Sequence, residues 1–245
     1  MSQGAFAALS AGSLVFGLLV GAGLSVIVDR TPEPPPEDEE LEARAAADAE
    51  GQPVASVPPA PRKRPHGWLH RGAIMALTGA GFLLASIQFG LAWRLPLAFL
   101  LIAVMIAVAF IDWELWIIPD VIVLPALPVG LAAAIALDPH RWWTYVVACV
   151  GSALFLFILA LIWPGGMGFG DIKLALFMGA VLGAAVIVAM FLAFFVGAVV
   201  GMVLIASKLK TRKDHIPFGP YLALGSVIAV LYGHAILGLY WGLVR

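Results

Sequence analysis

The chain has 245 residues, of which 62% are hydrophobic and only 12% charged, with a mean hydropathy of +1.01. About one residue in four is charged in a soluble domain, so this composition excludes one. The formal net charge of −1 describes no field, because the charge is segregated: nine of the 15 acidic residues lie between Asp29 and Glu50. The single cysteine, Cys149, excludes an intrachain disulfide and a cysteine-based zinc site. No basic face with interleaved aromatics supports nucleic-acid binding.

Residues 5–28 form the first apolar segment. It is too long and too weakly positive at its start for a cleaved signal peptide, and it lacks a convincing cleavage site, so it reads as a retained transmembrane helix. Residues 31–69 change solvent, from Pro34-Pro35-Pro36 through Glu37-Asp38-Glu39-Glu40 to Pro65. Too little apolar surface is present there to offset ordering entropy, which predicts a largely disordered loop with at most a short surface helix over Leu41–Glu50. The Arg62-Lys63-Arg64 run marks the cytoplasmic side.

Apolar runs then predict helices near 71–91, 95–112, 121–137, 142–163, 172–183, 185–207 and 219–242. The run 172–206 is too long for one crossing, and Gly183 is the expected break. The expectation is an all-α membrane bundle of about eight transmembrane helices. It divides into a first helix (1–28), a cytoplasmic loop (29–70) and a seven-helix core (71–245). With the N-terminus outside, one face receives Arg30, Arg44, Arg62, Lys63, Arg64, Arg71, Lys173, Lys208, Lys210, Arg212 and Lys213. The other receives only Arg94, Arg141 and Arg245, an asymmetry that makes the first face cytoplasmic and puts both termini outside. The same assignment collects Asp112, Glu114, Asp120 and Asp171 at the cytoplasmic face.

Two acidic stretches stand out. Gly168-Phe169-Gly170-Asp171-Ile172-Lys173 lies between long apolar runs, where an ionisable residue is costly and points to function. Its glycines allow a tight turn and close approach by another backbone. Asp171 would open the next helix, so an ordinary helix N-cap at the membrane surface is the alternative. Asp112 ends another apolar run, in Ile111-Asp112-Trp113-Glu114-Leu115-Trp116-Ile117-Ile118-Pro119-Asp120. Two carboxyls facing each other do not both ionise easily. One can act as base toward a water while the other donates a proton to a scissile carbonyl, which needs neither metal nor nucleophilic side chain. Asp112 could instead be a snorkelling interfacial carboxylate. Asp120, just after a proline, reads as a helix-terminal charge, Lys173 as a positive-side anchor or a tuner of Asp171, and Glu114 as solvated. Trp113 and Trp116 fit an aromatic belt. The five histidines lack ligand spacing, with His234 expected inside the bundle. Ile216-Pro217-Phe218-Gly219-Pro220 reads only as a turn opening the last helix.

Taken together, the chain resembles the type IV prepilin peptidases, bacterial Gly-x-Gly-Asp membrane aspartic proteases. Gly21 to Pro32 is similar to the family's Gly-Ser-Phe-Leu-Asn-Val…Arg-Leu-Pro segment, with Ala22, Gly23 and Ser25 departing from it. Asp112 through Pro119-Asp120 to Pro125 resembles its first aspartate motif, Gly168 to Lys173 its second, and Ile216 to Gly225 its Ile-Pro-Phe-Gly-Pro block. The resemblance implies that Asp112 and Asp171 are a catalytic pair, with Gly168, Phe169, Gly170, Lys173 and Asp120 shaping the site. It implies an inner-membrane endopeptidase that removes the short basic leader of prepilins or pseudopilins at the cytoplasmic face. The implied partners are those substrates and the lipid bilayer. Bifunctional members carry two Cys-x-x-Cys pairs after the first helix. Residues 29–70 hold no cysteine, so zinc, S-adenosylmethionine and N-methyltransferase activity are not expected. Two rival readings are a proton-coupled transporter using Asp112 and Asp171 as a relay, and a catalytically silent assembly factor. Transporters tend to carry midplane sites and internal repeats, neither of which is evident here.

Overall fold

A computed structural model describes residues 3–31, 68–163, 167–209 and 216–243. Among them are eight α-helices and no strand: α1 (Gln3–Arg30), α2 (Trp68–Phe89), α3 (Leu95–Leu115), α4 (Asp120–Leu137), α5 (Trp142–Ile162), α6 (Phe169–Leu182), α7 (Val186–Ala206) and α8 (Gly219–Leu243). Seven stretches of these helices are long and apolar enough to cross a bilayer. The longest, Phe169–Ala206, is two helices: α6 stops at Gly183, whose φ of +55° suits glycine, and a 3-10 turn at Gly183–Ala185 leads into α7. The chain is an all-α, multi-pass membrane protein with the expected break. The acidic, proline-rich loop expected from the sequence falls mainly on 32–67, outside the described residues.

Membrane helices gain little from the hydrophobic effect, so they meet through small residues and close backbone approach. A Cβ on Gly21 of α1 would lie 2.7 Å from the Met75 Cα of α2. Gly179 of α6 sits against the Ala148 carbonyl of α5, and Gly225 of α8 against the Ala189 carbonyl of α7. Helix α3 runs through the middle, packing on α8, α2, α4 and α1. The main core joins α3 to α8, with Leu101, Met105, Val108, Phe177, Met178 and Leu222 fully buried. Pro125 and Pro128 interrupt the hydrogen-bond ladder of α4, which a helix packed among others in a membrane tolerates.

Helix α6 is short. Its 14 residues cover about 21 Å, against about 31 Å for the 21 residues of α5. The Ser152 hydroxyl donates to the Ala175 carbonyl (2.7 Å), and Gly179 faces Ala148 and Cys149, which fixes the antiparallel register of the two helices. Asp171 is therefore level with Leu156, and α5 runs on for six residues, roughly 9 Å, beyond it. The start of α6 is recessed.

Chain order places the C-termini of α1, α3, α5 and α7 at one end of the bundle with the N-termini of α2, α4, α6 and α8. Asp29 and Arg71 pair there at 2.6 Å, tying α1 to α2. The opposite end carries the Arg94–Asp138 pair. Two expectations are corrected. Glu114 is not simply solvated: its carboxylate meets His70 Nδ1 at 3.1 Å, and the His70 ring stands edge-on to Phe110. His234 lies on an exposed part of α8 rather than inside the bundle.

Candidate active site

The recess above α6 is a cavity of about 530 Å³, and both acidic stretches open onto it. Its walls come from three places: Asp112 to Asp120 at the junction of α3 and α4, Met167 to Lys173 at the start of α6, and Ile216 to Phe218 before α8.

Asp112 sits in the last turn of α3 and is 6% exposed. Its Oδ2 accepts a hydrogen bond from Gly219 N–H at 2.9 Å. The first N–H groups of a helix have no intrahelical acceptor, so the opening of α8 supplies a donor and the positive end of a dipole to this carboxylate. The fit requires glycine, since a Cβ at 219 would come 2.6 Å from Asp112 Oδ2. One turn on, Trp116 adopts left-handed backbone (φ 59°), its N–H donating to the Asp112 carbonyl at 3.0 Å. A bulky residue in that region is uncommon, and here it turns Ile117 and Ile118 back over the cavity.

Asp171 is also 6% exposed, but it is the third residue of α6 and not its cap; Gly168 holds the cap position. The Gly168 N–H donates to Asp171 Oδ2 at 3.2 Å. The buried Oδ1 has no hydrogen-bond partner among the described residues. The chain does turn here, the Asp171 N–H donating to the Gly168 carbonyl at 3.2 Å, but Gly168 has ordinary extended backbone (φ −76°), so the turn does not itself demand glycine. What glycine provides is room: a Cβ on Gly170 would lie 2.8 Å from the Ile118 Cβ, so its absence lets the loop after α3 lie on the start of α6. The neighbour is thus the protein's own loop.

Lys173 Nζ reaches both Asp120 oxygens at 2.7 Å and lies 5.5 Å from the centre of the Phe169 ring. Asp120 begins α4, but its side chain makes no cap bond and is spent on Lys173. This pair straps the start of α4 to the start of α6 at the rim, leaving Asp112 and Asp171 inside. Sequence reasoning assigned no role to Gly219 or to Ile216–Phe218. The available signal was that a buried carboxylate needs donors, and a helix start after Pro217 has them free. Among the described residues no group of three or more His, Cys, Asp or Glu can hold a metal ion. The stretch on which the zinc and methylation expectations rest lies outside them.

Fold and site together define a polytopic membrane protein with two buried carboxylates on one recessed cavity, equipment suited to acid–base chemistry. The model of the type IV leader peptidase family matches residues 99–202, which include Asp112 and Asp171. Three similar proteins are each named prepilin leader peptidase/N-methyltransferase. The one from Bacillus subtilis (strain 168) is 35% identical over 166 residues, 67% of this chain and 66% of that protein. The one from Legionella pneumophila is 33% identical over 180 residues, 69% of this chain and 61% of that protein. The one from Stutzerimonas stutzeri is 30% identical over 272 residues, 95% of this chain and 94% of that protein. The chain thus spans just under two thirds of the first two and nearly all of the third. No solved structure matches it significantly. The chain belongs to the type IV leader peptidase family.

Proposed function

We propose that this protein is an aspartic endopeptidase that removes the short basic leader of type IV prepilins or pseudopilins, with Asp112 and Asp171 as its catalytic pair. The supporting observation is that two buried carboxylates, each with one oxygen pinned by a helix-start N–H, share one recessed cavity. One carboxylate takes a proton from water as its oxygen attacks the scissile carbonyl carbon. The partner carboxyl gives its proton to the carbonyl oxygen. On collapse of the tetrahedral species the first proton passes to the leaving amine, and the hydroxyl proton returns to the partner. Both carboxyls end as they began. Asp171 Oδ1, buried and without a hydrogen-bond partner among the described residues, is the oxygen left over for the reaction. Gly168, Phe169, Gly170 and the Lys173–Asp120 strap shape the entrance.

On this reading the site faces the cytoplasm in the inner membrane, with both termini outside. Residues 1–28, 29–70 and 71–245 act as first helix, loop and peptidase core. N-methylation of the new terminus is not part of this activity.

The test is co-expression of the full chain with candidate prepilins, followed by mass measurement of their N-termini. Asp112→Asn and Asp171→Asn should each stop leader removal at normal membrane abundance. Losing one acid–base group costs roughly 10²–10⁴ in rate. If both variants still process prepilin, the dyad assignment is wrong.

A further inference from the structure

We infer that the groove between α5 and α7 receives an apolar membrane helix of the protein substrate and leads its end to the carboxylate cavity. This rests on the endopeptidase reading above and adds how the substrate docks.

Helix α5 packs closely on α6 and α7 closely on α8, so α5 and α7 touch each other little. Between them lies a second cavity of about 630 Å³, with Val147, Gly151 and Phe155 on one wall and Ile187, Met190 and Phe191 on the other. Its one buried hydroxyl, Ser152, is already committed to the carbonyls of Ala175 and Cys149. The groove thus offers mainly shape and apolar area, its other polar groups being Trp143 and Thr144 at the end far from the carboxylates. It spans α5 from Trp143 to Phe155, about 18 Å. That is more than half of a hydrocarbon core of about 30 Å.

Two observations favour a helix over lipid as its occupant. The first is continuity with the site. The Phe155 ring meets Phe194 edge-on at 6.0 Å, Phe194 meets Phe218 at 5.0 Å, and Phe218 lines the carboxylate cavity. A line of three contacting rings therefore links the groove to the cavity that holds the two aspartates, a continuity that suits a polypeptide to be cut and serves no end for an acyl chain. The second is Gly151. Gly179 and Gly225 each receive a neighbouring backbone, whereas Gly151, like Gly12, Gly23 and Gly201, has nothing within 4 Å of a Cβ placed on it; of these open glycines it is the one on the groove wall. Small residues let membrane helices approach closely, and here the approaching helix is not supplied by the described chain.

The test places p-benzoylphenylalanine at Val147 or Phe191 in the full-length Asp171→Asn protein, which holds substrate uncut, and at Leu19 on α1 as a lipid-facing control. Irradiation with co-expressed prepilin should crosslink the prepilin helix at Val147 and Phe191 and not at Leu19. In the cleavage-competent protein, Gly151→Trp should fill the groove. Processing of membrane-inserted prepilin should fall at least tenfold, while a water-soluble peptide carrying the leader junction without its helix is cut at the normal rate. Crosslinks to phospholipid alone, crosslinks equally strong at Leu19, or normal prepilin processing by Gly151→Trp would each overturn the groove assignment. The soluble peptide and the two Asp→Asn variants test the endopeptidase reading separately, so that reading can stand while this one falls. If Gly151→Trp does not accumulate, the crosslinking alone decides.

Discussion

Replacing Gly219 with alanine asks whether the start of α8 positions Asp112 for work. The added Cβ would sit 2.6 Å from Asp112 Oδ2 and 3.0 Å from its Cγ. Carbon and oxygen approach without penalty only to about 3.3 Å, so the carboxylate must retreat by roughly 0.7 Å. The 2.9 Å bond from the Gly219 N–H does not survive that shift. Water is a poor substitute, because Asp112 is 6% exposed. A hydrogen bond to a charged group contributes about 1.5–3 kcal/mol. Only the part of that bond that strengthens in the transition state counts toward the rate, so its loss lowers leader removal by at most about 10- to 150-fold, at about 1.4 kcal/mol per factor of ten. The new Cβ would also lie 3.1 Å from the Asp112 Cβ, so turning the carboxylate aside must be joined by a shift of a few tenths of an ångström between α3 and α8, a modest folding cost that the better helix propensity of alanine partly offsets. The measurement is the rate of leader removal in membranes at matched protein abundance. A Gly219→Ala protein cutting at the wild-type rate would refute the positioning role.

Four further outcomes are expected. Asp120→Asn breaks a pair whose carboxylate is half-exposed, worth about 0.2–1 kcal/mol. Prepilin processing should stay within about fivefold of normal, and a dead variant would move the catalytic role from Asp112 to Asp120. Gly179→Val pushes a side chain into the Ala148 carbonyl and the Cys149 backbone, forcing α5 and α6 apart at a cost of about 1–3 kcal/mol. It should lower the melting temperature in detergent, and an unchanged value contradicts the close packing. Cysteines introduced at Arg64 and Lys210 should be shielded from an impermeant thiol reagent in intact cells and one at Asp138 labelled; the reverse pattern inverts the topology. Pilin processed by this chain alone should lack an N-methyl group, and one added methyl mass would show that residues 29–70 methylate without cysteines.

Much of the fold was legible because a bilayer leaves few options. Apolar runs long enough to cross it must be helices, and Gly183 inside one such run had to be either wasteful or a break. The two aspartates could be brought to one face from topology alone, since alternate crossings put their helix ends on the same side. What the sequence could not give was contact between distant segments. Nothing local to Gly219 says that its N–H will meet Asp112, 107 residues earlier. Glu114 looked solvated because its partner, His70, lies on another helix. The glycines before Asp171 were legible as small but not as to purpose. Turn geometry and steric room leave the same residue in the sequence, and only the position of Ile118 tells them apart.

The recessed start of α6 turns depth into a measuring device. Asp171 lies roughly 9 Å inside the end of α5. Extended chain covers that distance with about three residues and intact helix with about six. On the orientation proposed above, a substrate passing the end of α5 as a strand therefore needs about three residues to reach the depth of Asp171. One that stayed helical would present a different bond, still closed by its own hydrogen bonds. If the protein is the endopeptidase proposed here, the choice of bond depends on the distance between the membrane boundary and the cut as well as on the side chains beside it. Insertions or deletions in the substrate between its leader junction and its apolar helix should then shift or abolish cleavage even when the junction itself is unchanged.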